Sequence, residues 1–195
     1  MSLEKQITDM LQYLDPNPGR VELEATPKRV AEALGFLTQG HQVDISKVFE
    51  HALFETDEQS MIVIKNIEFY SLCEHHLLPF FGHCHIAYIP QKHILGFSKI
   101  AEVVNIFSRR LQIQERLTLD IAQCIQTHLQ PLGVGIIMEA KHLCMSMRGI
   151  EKQNPRLITQ KMLGRLIDPL QQQLFFNLIQ DTHQNPMTPV LDDSP

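Results

Sequence analysis

A cysteine and a histidine three residues apart are the sequence's clearest candidates for metal ligands. Cys73 and His76 lie in the segment SLCEHH at residues 71–76. Side chains at this spacing point to opposite faces of a strand but share a face in a helical turn. Ser71 and Glu74 fit a capping box, which predicts such a turn. We therefore expect Cys73 and His76 to converge on one point.

A third ligand is predicted near the end of the chain, where residues 134–147 are predicted to form a long strand. Alternation along a strand would place four polar side chains on one face, namely His142, Cys144, Ser146 and Arg148. Two thiolates and one imidazole are ligands that Zn²⁺ favours, and three protein ligands leave a position open for water, as in catalytic zinc sites. Since two thiolates cancel the charge of the metal, His75 and His142 are natural candidates to assist as bases.

The four cysteines also have a simpler interpretation. A buried cysteine usually behaves as a small hydrophobic residue, and this alternative stays open for Cys73 and Cys144. For Cys84, in an alternating strand, and Cys124, beside the apolar stripe of a predicted helix, packing is the favoured interpretation.

Two further segments could bind a ligand. Ser98 and Lys99 open a predicted helix after Gly96, with Ser98 as the N-cap, and such a helix start can bind phosphate. Arg148 and Arg29 are further possible phosphate contacts, although either could be a solvated surface charge. Gln114 and Glu115 offer an amide and a carboxylate that could bind the donor edge of a guanine, but a polar interhelical turn is the alternative. They belong to the segment QIQER at residues 112–116, which connects two predicted helices, the second beginning at about residue 114.

The elements that must position these residues alternate between helix and strand. Periodicity and breakers predict helices over residues 7–14, 26–40 (with Thr26 as the N-cap), 45–53, 98–107, 114–129 and 170–179. Strands are predicted over residues 61–70, 80–89 and 134–147. Strands joined by helices within one chain favour an α+β domain.

Composition narrows the functional classes. The chain has 195 residues, 44% of them hydrophobic, and 17 Lys+Arg against 22 Asp+Glu give a formal charge of −5. This is the balance of one globular domain, and it argues against coating nucleic acid or an anionic membrane. Neither a signal peptide nor a membrane span is expected, so we predict a cytoplasmic location with reduced thiols.

The segments with candidate chemistry also resemble those of a known family. CEHH at 73–76, GFSK at 96–99, SRRLQIQERLT at 108–118 and HLCMSMRG at 142–149 occur in the order seen in zinc-dependent GTP cyclohydrolase I. The resemblance extends from about residue 26 to residue 164. It implies a T-fold: an antiparallel sheet backed by helices, with additional N-terminal helices. The expected organisation is a helical region at 1–55 and a catalytic domain at 56–182. Three prolines and little apolar content predict a disordered tail at 183–195.

The resemblance also implies roles for individual residues. Zn²⁺ would be held by Cys73, His76 and Cys144, and a toroidal homodecamer would place active sites at subunit interfaces. His75 would protonate the purine N7, and His142 would be a second acid/base group. Guanine would be bound by Gln114 and Glu115. The ribose and triphosphate would be contacted by Ser98, Lys99, Arg148 and Arg29. Ser98 would also be a catalytic residue, together with His75 and His142.

The implied reaction converts GTP to 7,8-dihydroneopterin triphosphate and formate, as in folate or tetrahydrobiopterin synthesis. The sequence departs from the family at Glu102, where an arginine is usual, and at Glu32, where some members have lysine. Both acidic residues predict weaker triphosphate binding. One alternative is therefore a non-catalytic or altered zinc-binding paralogue that binds a nucleotide or a protein. Another is a T-fold nitrile reductase of the queuosine pathway, against which the zinc-type cluster argues.

Overall fold

The computed structural model describes residues 2–180 of the chain. The tail predicted to be disordered lies outside the described residues, as do the last two residues of the predicted catalytic domain. The helices are α1 Leu3–Leu14, α2 Thr26–Thr38, α3 Ser46–Phe49, α4 Phe97–Ser108, α5 Gln114–Leu129, α6 Leu143–Ser146 and α7 Pro169–Ile179. The strands are β1 Leu53–Glu55, β2 Ile62–Cys73, β3 Pro79–Ile89, β4 His93–Leu95, β5 Leu111–Gln112, β6 Gly133–His142 and β7 Leu157–Gly164.

A five-stranded sheet with the order β5-β2-β3-β6-β7 is the centre of the fold. Its last four strands pair antiparallel, whereas the short β5 runs parallel to β2. Alternate residues of β3, including Phe80, Cys84 and Ile86, enter the main core together with the apolar faces of α4 and α5. Helix α7 covers one end of the opposite face, where Phe175 is buried with Ile137 in a second core. The α+β prediction is confirmed, with an antiparallel sheet backed by helices.

The N-terminal helices form a separate layer that is joined to α4. Helices α1 and α2 pack against each other. At the end of α2, the amide of Gly40 donates to the Arg109 carbonyl at 2.8 Å. The Arg110 side chain donates back to the Gly40 carbonyl at 3.2 Å. A β-carbon at Gly40 would overlap the Ile106 carbonyl, so only glycine permits this approach. No helix among residues 2–180 is long and apolar enough to cross a membrane.

The predicted strand over residues 134–147 is wrong in its last part. Strand β6 ends at His142, and α6 begins at the next residue. The cause is the loss of a partner, because the pairing of β6 with β3 stops where His142 faces Phe80. Beyond that point the backbone closes on itself, with the Met147 amide donating to the Leu143 carbonyl at 3.0 Å.

The helix predicted over residues 45–53 is also too long. Helix α3 ends at Phe49 because Leu53 begins β1, which pairs with β4. Thr26 is the first helical residue rather than the N-cap, since the chain is already helical at Ala25. Ser98 is likewise inside α4, whose N-cap is Gly96.

Candidate functional site

Cys73 and His76 meet as predicted, although not through a capping box. Cys73 is the last residue of β2, and the amides of His76 and Leu77 both donate to its carbonyl, at 3.3 and 2.8 Å. Ser71 is still in the strand, and its hydroxyl lies 3.5 Å from the Arg110 carbonyl. The tight turn at the strand end brings the Cys73 Sγ within 3.8 Å of the His76 Nδ1.

Strand register brings Cys144 to the same place. Ser71 of β2 pairs with Phe80 of β3, which in turn pairs with His142 at the end of β6. Cys144 follows two residues later, in the α6 turn. One ligand atom from each of Cys73, His76 and Cys144 lies within 4.8 Å of the other two. This is the group that the sequence predicts as a metal site.

The electrostatics of this group suit a cation. The pKa of Cys144 is raised by burial and by the adjacent Cys73 thiol, although Arg148 lowers it. Two thiolates side by side repel each other, and a bound divalent cation removes that penalty. One imidazole and two thiols form a donor set that fits Zn²⁺, so these residues could hold it. Cys84, fully buried, and Cys124, whose pKa burial raises to about 12, are in the core instead.

Arg148 and His75 lie beside the candidate metal ligands. Arg148 Nη1 donates to the His76 Nε2 at 2.6 Å, which leaves the His76 Nδ1 on the side of Cys73. His75 has a side chain 64% exposed, with its Nδ1 3.9 Å from the Cys73 Sγ. Its Nε2 lies 3.8 Å from Glu74, which Arg116 holds in two hydrogen bonds of 2.6 and 3.1 Å. Sequence reasoning missed this bidentate pair because 42 residues separate its members.

His142 is held more rigidly than His75. Its ring stacks on the buried Phe80, with centroids 4.6 Å apart and planes 5° from parallel. Its Nε2 lies 2.8 Å from the Gln114 Oε1. Burial lowers the pKa of His142, and nearby Glu115 offsets part of that effect. Gln114 itself is fully buried, whereas Glu115 is exposed.

A cavity of about 400 Å³ adjoins this centre, with His142 and Cys144 among its lining residues. Three cationic side chains line it as well: Lys141, Lys152 and Arg156. Sequence reasoning did not select Lys141 or Lys152. The positive charges around HLCMSMRG were a signal that could have identified them.

Three predicted phosphate contacts lie away from the Cys73–His76–Cys144 group within this chain, namely Ser98, Lys99 and Arg29. Ser98 and Lys99 lie at the start of α4, whereas the end of α4 leads into β5, which pairs with Cys73. Lys99 donates to Glu102 at 2.7 Å, as their i,i+3 spacing on one face of α4 allows. Arg29 is exposed on α2. None of these side chains lines the cavity next to His142.

Comparison with known proteins agrees with this arrangement. The sequence model of the family described as GTP cyclohydrolase I matches residues 3–180. GTP cyclohydrolase 1 of Leptospira biflexa is 51% identical over 178 residues, covering 91% of this chain and 97% of that protein. The protein of the same name from Porphyromonas gingivalis is 47% identical over 177 residues, with 91% and 92% covered.

A third relative, GTP cyclohydrolase 1 of Methylococcus capsulatus, is 50% identical over 162 residues, covering 83% of this chain and 88% of that protein. Among solved structures, the archaeosine synthase QueF-Like in the apo form matches 54% of this chain and 94% of its own, with a TM-score of 0.45 and 16% identity. On the family match over nearly all described residues and on these relatives, the chain belongs to the GTP cyclohydrolase I family.

Proposed function

We propose that the protein is a GTP cyclohydrolase I, which hydrolyses GTP to 7,8-dihydroneopterin triphosphate and formate at the start of folate or tetrahydropterin synthesis. The observation that carries the proposal is the meeting of Cys73, His76 and Cys144 beside His142, in a chain of this family. Zn²⁺ would be held by these three ligands. When bound, it would supply a Lewis acid that makes water a better nucleophile at neutral pH.

The two histidines are suited to different parts of the proton transfer. His75 is exposed beside the ligand group, so its ring can reach a bound purine and give a proton to N7. His142 is half-buried and fixed by Phe80 and Gln114, and its lowered pKa favours the neutral imidazole, which can accept a proton. We assign His75 as the proton donor and His142 as the second acid/base group.

Guanine recognition is assigned to the start of α5. The exposed carboxylate of Glu115 can accept hydrogen bonds from the two adjacent N–H groups on the guanine edge. Gln114, its neighbour in the predicted pair, is buried, and its amide is bonded within the protein. Arg148, next to His76, is the cation best placed in this chain to meet the ribose–triphosphate part of the substrate.

The other phosphate contacts are best supplied by a second copy. Lys99 lies nine residues before the end of α4, or about 14 Å along the helix axis from the end that adjoins β5. Ser98, Lys99 and Arg29 would therefore reach a substrate at this centre from a neighbouring subunit. We propose a homo-oligomer with shared active sites, in accord with the decamer that the sequence resemblance implies.

A mixing experiment tests whether active sites are shared. Lys99→Ala and Cys144→Ala chains are each expected to be inactive alone. Reassembled together from dissociated subunits at equal amounts, they should recover about a quarter of wild-type activity, because that fraction of interfaces combines two intact halves. Activity no higher than that of the separate variants would contradict a site built from two copies.

The proposed activity is tested by incubating the purified, zinc-loaded protein with GTP. Release of formate and appearance of 7,8-dihydroneopterin triphosphate are expected at equal rates. Cys144→Ala should lose zinc and activity together. The matched control is Cys124→Ala, which also removes one thiol but should keep the metal, since Cys124 lies on α5 with its side chain in the core. No turnover by the zinc-loaded oligomer would refute the proposal.

One observation favours a second candidate, a paralogue that binds a nucleotide or a protein without this turnover. The ammonium group of Lys99 is paired with Glu102, so a predicted phosphate contact is partly neutralised. Such a protein would bind zinc and GTP but release no formate, and the same assay separates the two functions.

We also propose a cytoplasmic location. All four cysteines are free thiols in the described part of the chain, and three of them are buried. Thiols persist in a reducing compartment, which supports this assignment.

A further inference from the structure

The side-chain amide of Gln114 has an orientation that its partners determine. Its Nε2 lies 3.1 Å from the Met138 carbonyl and 3.0 Å from the Leu157 carbonyl, on β6 and β7. Carbonyl oxygens only accept hydrogen bonds, so the amide nitrogen must face them. The reversed amide would set its oxygen against two carbonyl oxygens, neither of which can donate. The Gln114 Oε1 is therefore held on the side of His142.

This orientation determines which nitrogen of His142 carries hydrogen. The Gln114 Oε1 has no hydrogen to give, so across the 2.8 Å contact the His142 Nε2 must be the donor. In the neutral ring the other nitrogen, Nδ1, then has the free electron pair. The stack on Phe80 sets the plane of the ring, and Phe80 is itself fully buried. The ring is thus fixed both in plane and in tautomer.

Two threonines complete the support of the amide. The Thr118 hydroxyl donates to the Gln114 carbonyl at 2.8 Å, which uses its only hydrogen. In the 2.6 Å contact between the two hydroxyls, Thr159 must therefore donate to Thr118. The Thr159 Oγ1 is a third acceptor 3.1 Å from the Gln114 Nε2, and it therefore shares one of the two amide hydrogens with a carbonyl. The hydrogen bonds form a closed cycle with one direction, and the cycle joins α5 to β7.

We propose that Gln114 is a positioning residue that holds His142 with Nε2–H toward the amide, so that Nδ1 is the nitrogen that exchanges protons during the reaction. The inference rests on the proposed function. It assigns the Gln114 side chain to His142 rather than to guanine, which leaves side-chain recognition of the guanine edge to Glu115.

Steady-state kinetics of three variants test the positioning role. Gln114→Met keeps the length of the side chain and removes both polar atoms, and kcat should fall by about 10- to 100-fold with KM for GTP nearly unchanged. Thr159→Val removes one hydroxyl from the hydrogen-bond cycle without changing Gln114 or His142, and it should lower kcat by a smaller factor. Thr159→Ser keeps the hydroxyl, so its kcat should equal that of the wild type. Circular dichroism and zinc content establish that each variant is folded and loaded.

A substrate comparison separates positioning from guanine recognition. Inosine triphosphate lacks the exocyclic amino group of guanine, so loss of a guanine contact reduces the preference for GTP over it. Gln114→Met and Thr159→Val should leave this preference as in the wild type, whereas Glu115→Gln should reduce it. A reduced preference in Gln114→Met, or a raised KM with unchanged kcat, would overturn the assignment.

The tautomer is tested by ¹⁵N NMR of histidine-labelled protein, with the His142 signal identified by its loss in His142→Asn. A protonated Nε2 in the neutral ring is expected, and a protonated Nδ1 would overturn the inference. Failure of the proposed function and failure of the positioning role give different results. A wild type without turnover refutes the proposed function together with this inference, whereas normal wild-type turnover with undiminished kcat in Gln114→Met and Thr159→Val refutes the positioning role alone.

Discussion

Replacing Glu102 by glutamine tests whether the chain restrains its own candidate phosphate-binding lysine. The Lys99 Nζ lies 2.7 Å from the Glu102 Oε2, and the two side chains are 36% and 44% exposed. Glu102→Gln keeps the size of the side chain and removes its charge. The ion pair with Lys99 is then lost, and so is the repulsion between Glu102 and a triphosphate.

The size of the effect follows from these two contributions. An exposed ion pair of this kind is worth about 0.2–1 kcal/mol, so releasing Lys99 improves phosphate binding by roughly 1.4- to 5-fold. The lost repulsion adds about 0.5 kcal/mol for each pair of unit charges 8 Å apart in water, before screening by salt. With one phosphate charge at that distance, we therefore expect KM for GTP to fall by about 3- to 12-fold at low ionic strength. The gain should shrink to less than about twofold at 0.5 M salt, where exposed charges are screened.

The assay is the initial rate of formate release over a range of GTP concentrations at low and at high salt. Glu4→Gln is the matched control, since it changes net charge equally from the first turn of α1. Its KM should equal that of the wild type. If Glu102→Gln leaves KM and its salt dependence unchanged, the phosphates do not approach Lys99 and the electrostatic reasoning is refuted.

Two other substitutions and one treatment have definite expected outcomes. Gly82→Ala should lower the free energy of unfolding by about 1–3 kcal/mol or more, because the new methyl group would overlap the Glu139 carbonyl on β6. Thermal denaturation measures this loss, and Gly19→Ala is the control because a methyl group there meets open space. Arg116 lowers the pKa of Glu74 below its ordinary 4.5, so their pairing stabilises the fold above that pH and is lost as pH falls through the lowered value. Arg116→Met should therefore reduce the loss of melting temperature on acidification, and an unchanged acid limb would contradict this. A chelator should lower the melting temperature and make the two ligand cysteines reactive toward a thiol reagent, and zinc should reverse both changes.

Local sequence signals predicted the longer elements well. Helix α5 has the predicted bounds, Gln114–Leu129, because its apolar stripe is continuous and a breaker follows it. Strand β3 begins one residue before its predicted start. Strand β1 could not be predicted in the same way, since its existence depends on Leu53 pairing with Leu95, 42 residues later. Periodicity within a window does not report such distant partners.

In the candidate site, too, some features are visible in the local sequence and others depend on distant residues. The metal-ligand types and the motif order are local, and they predict the group of Cys73, His76 and Cys144 that the structure brings together. The partners of Glu74 and of the Gln114 amide are not local. The partners of the Gln114 side chain lie 24 to 45 residues away, on β6 and β7. A polar residue at a helix start gives no sign that its side chain is enclosed by two strands.

The strand predicted over residues 134–147 ends at His142, and this early end affects the position of the candidate metal ligand Cys144. In a continuous strand, Cys144 would lie about 6.6 Å beyond His142, past the last paired residue of β3. The helical turn of α6 rises only about 3 Å over the same two residues, so the thiol stays at the end of the sheet. Cys73 is at the end of β2 for the corresponding reason, since its chain also turns where pairing stops. The three ligand atoms can therefore meet because the strands end, and a longer sheet with the same ligand residues would separate them.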